Sequence, residues 1–194
     1  MTNWVGNFIK ITGTKSNLDV LKGKLTEQKD ESINFMEYLI GLGDIPDNYY
    51  EKGWYDYNVK RFGTKCDIPF SQLELKIEED LISIVAGSAW SPIIPFLSKL
   101  CERYNVDAIN DYYEPRSGFG GRAEIDSCGR DFVHHCSYME AVFLYENWSF
   151  WEQVSEMIEE EQYETFEELM DELEFLSEED KEKIKVVWNE TRDL

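Results

Sequence analysis

The chain has 194 residues, of which 42% are hydrophobic and 14% aromatic, and its formal net charge is −21. That length gives one ordinary domain, or a domain with a helical appendage. The 28 aromatic residues exclude a disordered acidic chain, no apolar run approaches the ~18 residues of a membrane span, and the charge disfavours nucleic acid and anionic membranes as partners.

Residues 5–12 alternate, with Ile9 and Ile11 in phase and Phe8 out of phase, and Gly13 closes this first predicted strand. Ser16 is expected to cap a helix, with Asp19 three residues on, and Leu18, Leu21 and Leu25 recur at helical spacing to about Thr26. From Glu27 to Gly63 the pattern weakens. Ile33, Phe35, Met36, Leu39 and Ile40 are apolar, Gly41, Gly43 and Pro46 interrupt them, and Tyr49, Tyr50, Trp54, Tyr55 and Tyr57 crowd the following stretch. This reads as a long insertion of short helical turns.

Leu73, Leu75 and Ile77 alternate, Glu78-Glu79-Asp80 makes a polar turn, and Leu81, Ile82, Ile84 and Val85 continue as a second, fully buried strand. Ser91 is expected to cap another helix with Pro92 in its first turn, and Phe96, Leu97, Leu100 and Tyr104 form its apolar stripe. Residues 106–113 read as a fourth strand. The order strand, helix, strand, strand, helix, strand is the ferredoxin-like plan. It is an α+β fold with two helices on one face of a four-stranded antiparallel sheet. Gly118-Phe119-Gly120-Gly121 marks a loop or bulge, and residues 122–126 are a candidate further strand.

Residues 1–147 are thus expected to form the α+β domain and 148–194 an acidic helical segment on or beside it. The segment holds 17 Asp or Glu against 4 Lys or Arg, a net of −13. Trp148, Trp151, Val154 and Ile158, then Phe166, Leu169, Met170 and Leu173, then Ile184, Val187 and Trp188 keep helical spacing, and Ser177-Glu178-Glu179-Asp180 is a helix start. Between Glu159 and Glu174 lie nine acids and no base: Glu159, Glu160, Glu161, Glu164, Glu167, Glu168, Asp171, Glu172 and Glu174. As one helix this stretch would span about 24 Å. Its charge density would be about one per 2.7 Å, against about one per 1.7 Å for duplex DNA. Like charges at i,i+4, such as Glu160 with Glu164 and Glu164 with Glu168, cost a few tenths of a kcal/mol each, which suggests compensation from outside. The alternative is a solvated helix face.

Other constellations are thinner. Arg116-Ser117-Gly118-Phe119-Gly120-Gly121-Arg122 has glycines flanked by arginines, yet matches neither a dinucleotide fingerprint nor a P-loop, so a tight strand connection competes with a phosphate cradle. Tyr112, Tyr113 and Phe119 are candidates for base stacking on an exposed sheet, with Glu114, Arg116 and Arg122 beside them. Asp107, Asp111, Glu114, Glu124 and Asp126 are the carboxylates available to a metal-dependent nuclease. On one strand, however, Asp111 and Glu114 face opposite ways. His134-His135-Cys136 with Cys128 lacks the second pair of a tetrahedral zinc set. Cys66, Cys101, Cys128 and Cys136 show no C-x-x-C spacing, and four free thiols in a reducing cytosol are expected. No catalytic residue, cofactor or metal is assigned.

Four pieces carry a family resemblance. They are Asn3-Trp4 followed by a strand and Gly13; Phe62-Gly63-Thr64-Lys65; Ala89-Trp90-Ser91-Pro92; and Tyr112-Tyr113-Glu114-Pro115 leading to Gly118-Phe119-Gly120. In that order they resemble the YubB-type ferredoxin-like proteins of phages and plasmids, over roughly residues 3–127. The resemblance implies a ferredoxin-like fold and an origin on a mobile element, and it brings no catalytic residues. Cys66 stands where that family often has a second tryptophan.

The resulting expectation is a non-enzymatic acidic inhibitor in the cytoplasm of a bacterial host cell. Its partner would be a basic nucleic-acid-binding host defence protein, such as a restriction enzyme or CRISPR effector, whose groove it fills. It would bind no nucleic acid directly. The alternatives are a nucleic-acid-processing enzyme or RNA-binding module using the sheet and the Gly118 loop, and a structural phage protein.

Overall fold

A computed structural model describes residues 3–28, 30, 32–41, 43–44, 53–114, 116, 118–137, 139–140, 143, 154–155, 157–158 and 163–192. The first strand, β1 (Trp4–Thr12), buries Val5, Asn7, Ile9 and Ile11 and turns Trp4, Phe8 and Lys10 to the other side, as a period of two requires. Helix α1 (Lys15–Glu27) buries Leu18, Leu21 and Leu25. Its cap is Thr14 rather than the expected Ser16. The Thr14 Oγ1 accepts from the Asn17 N–H at 3.4 Å, and the helix begins before Ser16 is reached.

The stretch that follows contains α2 (Phe35–Ile40) and α3 (Trp54–Phe62). Asp67 fastens it to the domain. Its carboxylate accepts from the Met36 and Glu37 N–H groups at 2.9 and 2.7 Å, and from its neighbour Ile68 N–H at 2.6 Å. Burial raises the Asp67 carboxyl above its usual range, and these three donors offset only part of that rise. Of the aromatics expected to hold the insertion down, Tyr49 and Tyr50 lie outside the described residues.

Strands β2 (Leu73–Ile77) and β3 (Ile82–Ala89) form the expected hairpin. β3 is not buried on both faces. Ile82, Ile84, Ala86 and Ser88 are buried while Ser83, Val85 and Gly87 are half-buried, so it alternates like β1. Helix α4 (Ile94–Tyr104) starts later than expected, with Pro95 in its first turn. Ser91 does not cap it. Its hydroxyl donates instead to the Gly63 carbonyl at 2.6 Å.

β4 (Asp107–Glu114) is followed by β5 (Phe119–Ile125) and β6 (Asp131–Ser137). The sheet therefore has six strands rather than four, in the order β2-β3-β1-β4-β5-β6, with every described pairing antiparallel. β6 was illegible because its sequence, Asp131-Phe132-Val133-His134-His135-Cys136-Ser137, is that of an exposed edge strand with no apolar phase. One face of the sheet meets α1, α2, α3 and α4 in a single hydrophobic cluster that includes Val5, Ile9, Ile11, Leu21, Phe35, Phe62, Ile84, Phe96 and Ile125.

A second cluster contains no strand residue. It joins Met139, Val154 and Ile158 to Leu169 and Leu173 of α5 (Phe166–Glu172) and to Ile184 and Trp188 of α6 (Glu178–Arg192), with Leu176 between the helices. The three apolar stripes read from the sequence thus meet here, although Trp148 and Trp151 lie outside the described residues. Thr165 caps α5 with a reciprocal capping box. Its hydroxyl accepts from the Glu168 N–H at 3.2 Å, and Glu168 Oε2 accepts from the Thr165 N–H at 3.3 Å. Thr165→Ala is expected to cost about 1 kcal/mol by removing one side of that box. Thermal unfolding would check it, and an unchanged midpoint would contradict the assignment.

Candidate functional site

Two surfaces carry the residues singled out by the sequence. The first is the acidic surface over the second cluster. Glu159 to Glu174 is not one helix. The chain is non-helical at Tyr163 and Glu164, Thr165 is the cap, and α5 has seven residues, about 10 Å of axis. Glu164, Glu167, Glu168, Asp171 and Glu174 are exposed, while Glu172 ends the helix and Glu159, Glu160 and Glu161 lie outside the described residues.

The i,i+4 repulsion argument also changes. Glu164 precedes the cap, and its own N–H donates to Glu168 Oε2 at 2.9 Å. Glu167 and Glu168 sit in the first turn of α5, and Glu178, Glu179 and Asp180 in that of α6, where the helix dipole favours negative charge. Part of the acidity is therefore compensated inside the fold. On α6 Ser177 caps Asp180 at 3.2 Å, and Lys181, Lys183 and Lys185 pair with Glu178, with Glu179 and Asp180, and with Glu182. Such exposed pairs stabilise little but make that helix mixed in sign. Among the described residues no Lys or Arg pairs with the acids of α5 or its flanks.

The second surface is the sheet. The stacking candidates are divided between its faces. Tyr112 is fully buried on the helix-covered side, its hydroxyl 2.8 Å from His135 Nδ1, and Phe119 packs on the same core. Tyr113 lies on the opposite, open face and stacks on Phe8 at 5.2 Å with an 18° interplanar angle. The reason is register. Tyr112 pairs with Gly121 and Tyr113 with Gly120, so Phe119 shares the parity of Tyr112.

Arg122 is held by the Asp111 carboxylate through two contacts of 2.6 and 2.9 Å, and the Arg116 N–H donates to Glu114 Oε1 at 3.0 Å. Gly118, at φ +66°, makes the β4–β5 turn that competed with a phosphate cradle in the sequence. Asp111 and Glu114 face opposite sides of the sheet, as expected, and both are buried. Among the described residues no group of three His, Cys, Asp or Glu side chains is arranged to hold a metal ion.

A third feature was not found from the sequence. Asn7 is fully buried and ties three elements together. Its Nδ2 donates to Val5 O, Ala86 O and Ser88 Oγ at 3.0, 3.2 and 2.8 Å, while its Oδ1 accepts from the Ile93 N–H at 3.3 Å and from Asn110 Nδ2 at 3.0 Å. Thr64 Oγ1 both donates to the Ala89 carbonyl and accepts from the Ala89 N–H, each at 2.9 Å. The Trp90 N–H donates to Asn3 O at 2.9 Å. The sequence pieces around Asn3, Thr64 and Ser91 are thus one hydrogen-bonded frame. It holds Trp90 at φ +76°, a conformation that costs a bulky residue of order 1–3 kcal/mol, with its indole 51% exposed. The usable signal was Asn7 itself, a polar residue in phase with Ile9 and Ile11.

The four cysteines are unlinked. Burial pushes the Cys101 thiol up to about 12, aided by Asp107 and Asp126, and burial with Glu140 pushes Cys136 up to about 11. Cys66 and Cys128 are exposed. At pH 8 a thiol reagent is expected to label Cys66 and Cys128 in the native protein and Cys101 only after unfolding. Fast native labelling of Cys101 would contradict this.

No family model matches the chain, and no curated protein does. Among solved structures, the crystal structure of protein api92 from Yersinia pseudotuberculosis (family model DUF1281) aligns with 71% of this chain and 98% of its own at 10% identity, with a TM-score of 0.48.

Proposed function

We propose that the protein is a non-enzymatic inhibitor. It binds a basic nucleic-acid-binding protein of a bacterial host, a restriction enzyme or CRISPR effector, and fills its groove with the acidic surface over the second cluster. The observation that carries this reading is the pairing of charge with order. No Lys or Arg occurs between Arg130 and Lys181, yet the segment contributes Leu169, Leu173 and their neighbours to a packed core. The acids of α5 and its flanks are therefore presented by a folded unit, and an ordered negative surface complements an ordered positive groove.

The sheet is read as the scaffold. The neighbour order β2-β3-β1-β4 within it supports a ferredoxin-like core, extended by β5 and β6 and interrupted by the insertion bearing α2 and α3. The separate hydrophobic clusters support two units, with Met139 and Phe143 of the second placing the division before residue 139 rather than at 147. The sequence resemblance to YubB-type proteins supports an origin on a phage or plasmid.

Affinity purification from a bacterial lysate, with and without nuclease treatment, tests the reading. A basic nucleic-acid-binding protein retained in both cases supports it. Retention that disappears with nuclease would favour direct nucleic-acid binding through the sheet instead.

A further inference from the structure

The insertion after α1 and the loop that closes it meet around a cavity far in sequence from the acidic surface. Glu37 of α2, Trp54, Asn58 and Phe62 of α3, and Asp67 beyond them line a volume of about 290 Å³. Small-molecule sites begin at about 300 Å³. None of the described lining residues is cationic.

Asn58 is 8% exposed. Its Nδ2 donates to the Lys65 carbonyl at 3.0 Å, and this fixes the amide, because the reverse orientation would set two carbonyl oxygens against each other. The Asn58 Oδ1 is then buried and meets no hydrogen-bond donor among the described residues. A buried acceptor left in this way is uncommon and calls for a donor from elsewhere. The rest of the lining supplies further acceptors. Asp67 Oδ1 takes the Met36 and Ile68 N–H groups, while Oδ2 takes only the Glu37 N–H and keeps a free lone pair. Among the described residues no cation pairs with the Glu37 carboxylate. Trp54 and Phe62 give the cavity an aromatic wall.

We propose that this cavity binds the primary ammonium group of a small alkylamine. An ammonium carries three N–H donors and no acceptor, which complements a lining of Asn58 Oδ1 and two carboxylates, and its alkyl chain would rest on the Trp54 and Phe62 rings. The Trp54 indole already serves a cation, since Lys65 Nζ lies 5.9 Å from its centroid while also lying 5.7 Å from that of Trp90. A bare metal ion suits the cavity less. Asp67 is already held by three N–H groups, and no three His, Cys, Asp or Glu side chains among the described residues are arranged around an ion. The inference is independent of the acidic-surface reading.

The test is a titration of the full chain with n-butylammonium chloride at constant ionic strength, followed by NMR at the Trp54 indole N–H and the Asn58 side-chain amide. Both resonances are expected to shift and saturate together, while backbone resonances of α5 do not follow the same curve. Tetramethylammonium has the charge without an N–H, and n-butanol has the chain without the charge, so neither should shift them. Glu37→Gln should weaken n-butylammonium binding roughly tenfold, the scale of one charge-assisted hydrogen bond. Asn58→Leu should abolish it, and if that variant fails to fold, Glu37→Gln still decides. No saturable shift, an equal response to tetramethylammonium or n-butanol, or undiminished affinity in Glu37→Gln would overturn the proposal. Tighter binding of n-butylguanidinium would assign the cavity to a planar cation and overturn the ammonium assignment.

Discussion

Replacing Glu164, Glu167, Asp171 and Glu174 together with lysine is expected to weaken binding to the basic partner by at least ~100-fold at physiological salt. All four side chains are exposed and avoid the Leu169 and Leu173 face, so the fold should hold. The change shifts the net charge of the chain from −21 to −13 and that of residues 164–174 from −6 to +2. Glu168 is deliberately left in place. Its carboxylate accepts from the Glu164 and Thr165 N–H groups, so changing it would unwind the start of α5 and confuse a loss of charge with a loss of structure. Glu167→Lys carries a smaller cost of about 0.3–1 kcal/mol, because it places a cation at a helix N-terminus. Calorimetric titration of the partner, beside a thermal melt of each protein, separates the two effects. Undiminished affinity in a folded quadruple variant would contradict the proposed role of this surface.

Asn7→Ala is expected to destabilise the domain by about 3–5 kcal/mol, a large share of the stability of a chain this size. The substitution does more than delete hydrogen bonds. It leaves the Ile93 N–H and Asn110 Nδ2 facing a buried apolar site, and each then bears its own desolvation cost, while the Ser88 hydroxyl keeps its bond to the Ser91 carbonyl at 2.7 Å. The same frame fixes Ala89 and Trp90, so Trp90 should also lose its left-handed backbone. Urea unfolding measures the first effect and tryptophan fluorescence of the folded state the second. A loss below about 1 kcal/mol would show that the network is worth little to the fold.

The parts of this architecture that were legible in the sequence are those where burial is one-sided and periodic. Ile9 and Ile11, Leu18 to Leu25, Leu169 and Leu173, and Ile184 with Trp188 each mark a face that must leave water, and each is buried. Helix starts were harder to place, because several polar residues compete for each cap. Thr14 rather than Ser16 begins α1, and Ser91 is diverted to Gly63. β6 escaped because an edge strand needs no apolar phase.

The candidate sites divide in the same way. The composition of the acidic segment could be read directly, but its geometry could not, since Thr165 breaks a run that looks continuous by charge alone. Tyr112 and Tyr113 illustrate the opposite problem. Neighbouring residues of the same type are sent to opposite faces, and only the pairing with Gly121 and Gly120 says which is which.

The central claim is occupation of a nucleic-acid groove, and displacement tests it most directly. A fluorescent DNA or RNA ligand is bound to the captured partner and titrated with this protein while anisotropy is followed at two or more salt concentrations. The account predicts that the labelled nucleic acid is released as the protein binds, that release requires more protein as salt rises, and that the quadruple lysine variant releases none. Nucleic acid that stays bound while the protein also binds would contradict it.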